Sequence, residues 1–437
     1  MSLRVLIAGG GLGGLTLAHG LRQAGLDVQV FERRAAGPST DLTTSYRIHI
    51  DPTGSRALHS CLPAELWQAF TAHAAAAPRG IAFTTEHLNT LGFIPDVDPT
   101  TDPIGHSHPI SRAGLRQLLL RGLEDCVVFD KRLVRYEQVR DGHVSANFAD
   151  GSSASGDVLV GADGSSSAVC KQLVPGARVV DTGVAGIAGK LYLTEHRREG
   201  LPADLLSQMT MVLPPKRMAM FMATFGRRPE AHDAEALDLP EHLFWVQLGR
   251  ADELGLRHGS PPQTSTQLRH QALVHAEPWH SLLRWVIAES EPNSLVGVPL
   301  HTSLPVPAWP TTTVTLLGDA IHAMTPLQGL GGNTALRDAA VLRYHLVEAD
   351  RGRSGLLSAM HAYESAMLEY GFDAVQRSLQ VSNAVTSTNV LGRMAFRVVL
   401  RAADRLPWLH QRLFERPVVE LPPAPFTQTN VRSTARF

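Results

Sequence analysis

Gly9, Gly11 and Gly14 stand at GxGxxG spacing, and Glu32 follows 23 residues after Gly9. Glycines so spaced between a strand and a helix let the backbone and the helix N-terminus approach a pyrophosphate. A carboxylate at the end of the following strand can accept hydrogen bonds from an adenosine ribose. An acid there suits a ribose with free hydroxyls, so FAD or NAD fits this pocket and NADP does not; the motif does not separate the first two. Arg33, beside Glu32, joins the candidate cofactor contacts.

Other reactive side chains form no comparable set. Cys61, Cys126 and Cys170 have no CxxC spacing, so neither a metal site nor a disulfide framework is expected, and a reducing compartment, the cytoplasm, is. His106-Ser-His108 lacks a third ligand at useful spacing, and no nucleophile elbow or paired carboxylates suggest a hydrolase. No metal is expected, and no side chain is singled out as catalytic. With 40 Lys and Arg against 41 Asp and Glu, no basic field exists to draw nucleic acid.

The elements that must position these residues follow from periodicity. Arg4 to Ala8 reads as a strand, Gly14 to Ala24 as a helix and Asp27 to Phe31 as a strand, a βαβ start. Arg112 to Leu123 is helical. Leu133 to Val160 contains alternating runs punctuated by Asp141-Gly142 and Asp150-Gly151, two hairpin signals, and ends in an apolar strand before Asp163. From about Val179 to Val298 strand-like runs alternate with Pro- and Gly-bearing loops. A strand at Thr313 to Leu317 and a helix from Asn333 to Glu348 follow, helices dominate to about Phe414, and Pro417, Pro422, Pro423 and Pro425 mark an extended tail.

Asp157-Val-Leu-Val-Gly-Ala-Asp163-Gly164-Ser-Ser-Ser167 and Leu317-Gly318-Asp319-Ala-Ile-His322, continuing through Pro326, Gly329, Gly331, Gly332 and Asn333, resemble the fingerprints of single-component (class A) FAD-dependent aromatic hydroxylases. With the Gly-rich start these motifs span most of the chain. The resemblance implies a para-hydroxybenzoate-hydroxylase-like fold of α/β class. A Rossmann-like FAD-binding domain carries an inserted, mostly antiparallel substrate sheet and C-terminal helices. The expected boundaries are 1–178 for the first part of the FAD domain, with an excursion near 76–105, 179–298 for the substrate domain, 299–350 for the return segment and 351–437 for the C-terminal helices and tail.

By the same resemblance Asp319 holds a ribityl hydroxyl, and the turn from Gly329 to Asn333 aims helix amides at the flavin pyrimidine ring. Leu330 stands where the family often has glutamine. Arg112 matches an arginine that meets FAD from a helix start, and Arg47 lies in a segment that passes the flavin. Asp163 belongs to a motif associated with FAD and nicotinamide binding. The arginine usual after its serines is replaced by Cys170, with Lys171 next, which leaves the engagement of NADPH or NADH open. The implied chemistry is reduction of FAD by NAD(P)H, capture of O2 as a C4a-hydroperoxide, and hydroxylation or epoxidation of an aromatic or polyketide-like molecule.

Met218, Met220 and Met222 would share one strand face, and Met209 and Met211 a face of another; such stripes are core or the wall of an apolar pocket. Lys190 and Tyr192 could orient a phenolate. Rival readings are a reductase on the same scaffold, resembling geranylgeranyl reductases, and a non-catalytic flavin-binding redox sensor. Leu243-Phe-Trp245-Val-Gln-Leu248 lacks the WxWxIP signature of flavin halogenases. Arg393, Arg397, Arg401 and Arg405 recur every four residues beside Met394, Phe396, Val398, Val399 and Leu400. This pattern predicts a solvated basic edge on a helix whose apolar side packs on the FAD domain. No membrane association is expected, and the protein should be a monomer or homodimer.

Overall fold

The computed structural model describes residues 2–37, 47–139, 142–215, 218–226, 240–257, 259, 261–406, 408–410 and 421. The chain opens with β1 (Arg4–Ala8), α1 (Leu12–Gln23), β2 (Asp27–Phe31), β3 (Arg47–Ile50), α2 (Pro52–Cys61) and α3 (Ala64–His73). Next come β4 (Gly80–Thr84), β5 (Thr90–Pro95), β6 (His108–Ser111), α4 (Arg112–Leu120) and β7 (Val127–Val128). A hairpin region follows: β8 (Leu133–Gln138), β9 (Val144–Phe148), β10 (Ser153–Gly156), then β11 (Val158–Gly161) and α5 (Ala168–Leu173). The middle contains β12 (Val179–Tyr192), α6 (Glu195–Glu199), α7 (Ala203–Ser207), β13 (Met209–Val212), β14 (Ala219–Phe225) and β15 (His242–Arg250). It continues with α8 (Ser265–His275), α9 (Ser281–Ala288), β16 (Val296–Ser303) and β17 (Val314–Leu316). The last elements are α10 (Asp319–His322), α11 (Leu330–Asp350), α12 (Leu356–Thr386) and α13 (Val390–Arg405).

Val5 to Ala8 is an unbroken apolar run, the pattern of a strand covered on both faces. It lies inside a five-stranded parallel sheet of order β17-β11-β1-β2-β7, with Val5 to Ala8 at most 1% exposed. Parallel neighbours align the strand ends, so the loops after β1, β11 and β17 emerge together. Those loops carry the Gly-rich, Asp163 and Asp319 motifs. The helices start a little before their expected positions: α1 at Leu12 and α11 at Leu330, which brings Gly331 and Gly332 into its first turn.

A second sheet has seven strands in the order β16-β12-β15-β14-β13-β4-β5, antiparallel except where β13 runs parallel to β4. Its alternating residues divide cleanly. Met218, Met220, Met222, Leu243 and Trp245 face a core shared with Leu268 and Ala272 of α8 and Leu283 and Val286 of α9. Met211, Phe221, Val246 and Leu248 face the other way, toward Val381 and Val385 of α12. The helices α8 and α9 lie where the sequence reads as strands and loops, and α8 starts with a capping box of Thr264 and Gln267.

α13 corrects an expectation. Its arginine edge turns inward at Arg393, which is buried, while Leu391, Met394 and Val398 are 80%, 53% and 61% exposed. The carbonyls of the loop before β14 are the cause: Arg393 donates to Pro214 and Met218 at 2.7 Å. The Pro-rich tail and Asp141 of the first hairpin signal lie outside the described residues, whereas the antiparallel pairing of β8 with β9 lies within them.

Candidate cofactor and substrate site

A cavity of about 2070 Å³ extends from the glycine loop after β1 to the inner face of the seven-stranded sheet. Gly9, Gly11, Gly14, Glu32, Arg33, Arg47, Arg112, Asp163, Asp319, Pro326, Gly331, Gly332 and Asn333 all border it. So do Lys190, Met209 and Met211. Tyr192 does not: its ring stands edge-on to His242, 6.3 Å between centroids. Met220 is fully buried on the far face of the sheet, so that methionine stripe is core.

The glycines of the first loop divide the labour. A Cβ on Gly9, whose φ is +117°, would lie 2.2 Å from the Ala162 carbonyl oxygen, and one on Gly14 would lie 2.2 Å from that of Gly9. These two allow β1, α1 and the end of β11 to touch. A Cβ on Gly11 would meet nothing within 4 Å, so there the backbone faces open cavity. Glu32 closes the loop from the other side, its Oε2 accepting the Gly10 N–H at 3.0 Å and its Oε1 the Arg34 N–H at 2.9 Å. Arg116, which the sequence reading passes over, donates through Nε to the Gly10 carbonyl at 2.8 Å and approaches Glu32 at 3.5 Å. It sits one helical turn beyond Arg112 on α4, and that i, i+4 spacing was the available signal.

Asp163 uses Oδ2 to accept the Ala168 N–H at 2.8 Å and leaves Oδ1 buried without a partner. Arg47 Nε, His49 Nδ1 and Arg337 Nε are likewise unpartnered, and their residues border the cavity. Burial holds the Arg47 guanidinium down at about 10 and the His49 ring at about 3. Unsatisfied donors and acceptors around an open cradle of glycines are what a polar dinucleotide requires. FAD fits these residues.

Asp319 is exposed to the cavity at the start of α10, after Gly318 at φ +65°. A buried carboxylate that the sequence reading missed, Asp338, holds that turn. It accepts from the Gly318 N–H at 2.8 Å, from His322 Nε2 at 2.7 Å and from the Tyr370 hydroxyl at 2.7 Å. Burial disfavours a charged His322, but the Asp338 carboxylate outweighs it and the ring's pKa lies above its ordinary value. Asn333 is spent inside the protein: Nδ2 donates to the carbonyls of His49 and Gly329, each at 2.8 Å, and Oδ1 accepts the Asp51 N–H at 3.0 Å. It ties the first turn of α11 to β3.

The far end of the cavity is apolar, walled by Phe83, Met211, Phe221, Phe244, Val246 and Leu248. Lys190 enters beside this wall, its ammonium pKa lowered by burial. His242 lies behind, pushed down to about 4 by burial and by the nearby charges of Lys190 and Arg47. Among the described residues, no group of three or more His, Cys, Asp or Glu could hold a metal ion, and no helix is long and apolar enough to cross a membrane.

Comparison with known proteins decides the family. The profile of an FAD binding domain matches residues 272–378, and that of an NAD(P)-binding Rossmann-like domain matches residues 7–72. A crystal structure assigned as an FAD-containing monooxygenase, from Photorhabdus luminescens, superposes with a TM-score of 0.79 at 33% identity, over 88% of this chain and 99% of that one. The chain belongs to the FAD-dependent monooxygenases. Within this family, the aurachin C monooxygenase/isomerase of Stigmatella aurantiaca is 28% identical over 87% of this chain and 88% of its own. The dual O-methyltransferase/FAD-dependent monooxygenase elcB of Phaeosphaeria nodorum is 31% identical over 78% of this chain. The chain spans 40% of that fungal protein's length.

Proposed function

We propose that this FAD-dependent monooxygenase uses NADPH or NADH and O2 to hydroxylate or epoxidise an aromatic or polycyclic small molecule. The observation that carries this reading is the continuity of one cavity from a polar dinucleotide cradle to an apolar sheet wall. Bound FAD would supply electron transfer from NAD(P)H and the activation of oxygen. In this reading Gly11 and the start of α1 receive the pyrophosphate, Glu32 and Arg33 the adenosine end, and Asp163, Arg112 and Asp319 the middle of the cofactor. The first turn of α11, through the backbone of Gly331, Gly332 and Asn333, offers amides to the electron-rich flavin ring. Pro326 and Arg47 flank it.

The substrate lies against Met209, Met211 and Phe221, which exclude water, and Lys190 with Arg47 stabilises a phenolate or similar anion at its edge. A relative named as an FAD-dependent urate hydroxylase, from Mycolicibacterium vanbaalenii and 25% identical over 86% of this chain, supports this class. The working units are 1–178 with 299–350 for the cofactor, 179–298 with the 76–105 excursion for the substrate, and 351–437 for the C-terminal helices. Three buried, unpaired cysteines suit the cytoplasm, where the protein would act as a monomer or homodimer. The test is NADPH and NADH oxidation over phenolic and polycyclic compounds, with mass spectrometry for a gain of one oxygen atom. Ligand-stimulated oxidation with no oxygen in any product would point to a reductase instead.

A further inference from the structure

α13 is amphipathic in the reverse sense for a helix resting on its own domain. Half of its arginines are consumed inward: Arg393 caps carbonyls and Arg397 pairs with Glu86 at 3.3 Å, while Asp404, its one acid, accepts the Phe93 N–H at 3.2 Å. Its apolar side faces out. Of the fifteen exposed large hydrophobic side chains among the described residues, eight lie between Val390 and Trp408. Monomeric surfaces rarely concentrate apolar groups in this way unless something covers them.

We propose that this face docks on an anionic lipid surface. The outward arc that carries Leu391, Met394 and Val398 also carries the exposed Arg401 and Arg405 and no carboxylate, and Trp408, 61% exposed, follows it. A helix lying in a bilayer interface puts its apolar residues at the acyl boundary and its cations and tryptophan among anionic headgroups. A second copy of the chain fits less well, because a self-complementary contact would desolvate the outward Arg401 and Arg405 with no carboxylate on that arc to pair them. The same helix borders the cavity through Gly392, Phe396 and Arg397. A docked α13 therefore sets the cavity mouth beside the lipid, and a lipophilic substrate can enter without crossing bulk water.

The experiment is co-sedimentation of the full-length holoenzyme with vesicles of phosphatidylglycerol or of phosphatidylcholine at physiological salt. The wild type should pellet with the anionic vesicles and remain in solution with the neutral ones. The triple variant Leu391→Gln, Met394→Gln, Val398→Gln should stay in solution with both. Arg401→Gln with Arg405→Gln should lower the bound fraction about tenfold, and FAD content should be unchanged in every variant. A wild type that ignores anionic vesicles, or a triple variant that still pellets, overturns the proposal. So does light scattering that shows a wild-type dimer split by the triple variant, which would make a second copy the occupant. Vesicle binding in a protein that oxygenates nothing would leave the docking intact and remove only the proposed chemistry.

Discussion

The two oxygens of Glu32 each hold a backbone N–H, and a carboxylate retains further acceptor sites beyond those two. Glu32→Gln should therefore weaken FAD binding by about 1.5–3 kcal/mol, through the lost charge and a distorted loop together. Asp319 makes no such structural bond, so Asp319→Ala should leave apoprotein stability within about 0.5 kcal/mol of wild type while FAD occupancy collapses. Fluorescence titration with FAD and urea unfolding of the apoprotein separate these effects, and full occupancy in Asp319→Ala would remove it from the site. His242 carries a pH dependence. Its ring titrates at about 4 in the fold against an ordinary 6.5, because burial disfavours the charged form. Between those values the unfolded chain takes up a proton that the native chain refuses. Stability is then complete above pH 6.5 and falls as acid is added, by up to about 1.4 kcal/mol per pH unit until about pH 4. His49, held at about 3, adds a loss of the same sign. The difference between urea midpoints at pH 7 and pH 5 should shrink in His242→Gln, with His49 keeping the remainder; an unchanged difference would discard this account.

Gly9 and Gly11 are alike in the motif and opposite in the fold. Gly9→Ala drives a Cβ into the Ala162 carbonyl at a φ only glycine adopts readily, and should cost several kcal/mol of apoprotein stability. Gly11→Ala meets open space, so the apoprotein should melt normally and fail to hold FAD. Equal melting temperatures for the two apoproteins would contradict this division. The strand β14 offers a parallel contrast. Met220→Ala empties a packed core and should cost about 2–5 kcal/mol. Phe221→Ala, on the opposite face, should mainly raise the KM for substrate with FAD content unchanged. Such contrasts show what was legible in the sequence. Strands β1 and β2 match their expected limits, since an apolar run and a Gly-rich turn leave little choice. The methionine stripe was visible as a stripe, but alternation says only that residues share a face; apolar groups cover both faces of this sheet. Asp338 and Tyr370 escaped notice because a buried network is assembled from distant helices and leaves no local spacing. The two sides of α13 were readable, while which one turns inward was decided by carbonyls of a loop about 175 residues earlier.

At the scale of the whole molecule, the cofactor cradle is built from segments more than 280 residues apart. Strand β11 pairs with β1 on one side and with β17 on the other, so Leu159 lies between Leu6 and Val314. Asn333 then ties α11 to His49 and Asp51. The substrate sheet is equally interleaved, taking β4 and β5 from before β11 and its other strands from after it. Contacts of such separation form slowly, because long loops must close before they are rewarded. During biosynthesis the first half of the chain emerges at the ribosome with one side of β11 bare, an edge open to wrong pairing until Val314 arrives. Nascent chains arrested at increasing lengths should quench FAD fluorescence only once Asn333 has cleared the exit tunnel, and capture by chains arrested before Val314 would refute this order. On that order the chain meets chaperones and proteases as a colourless intermediate until Asn333 has emerged, and it turns yellow only then.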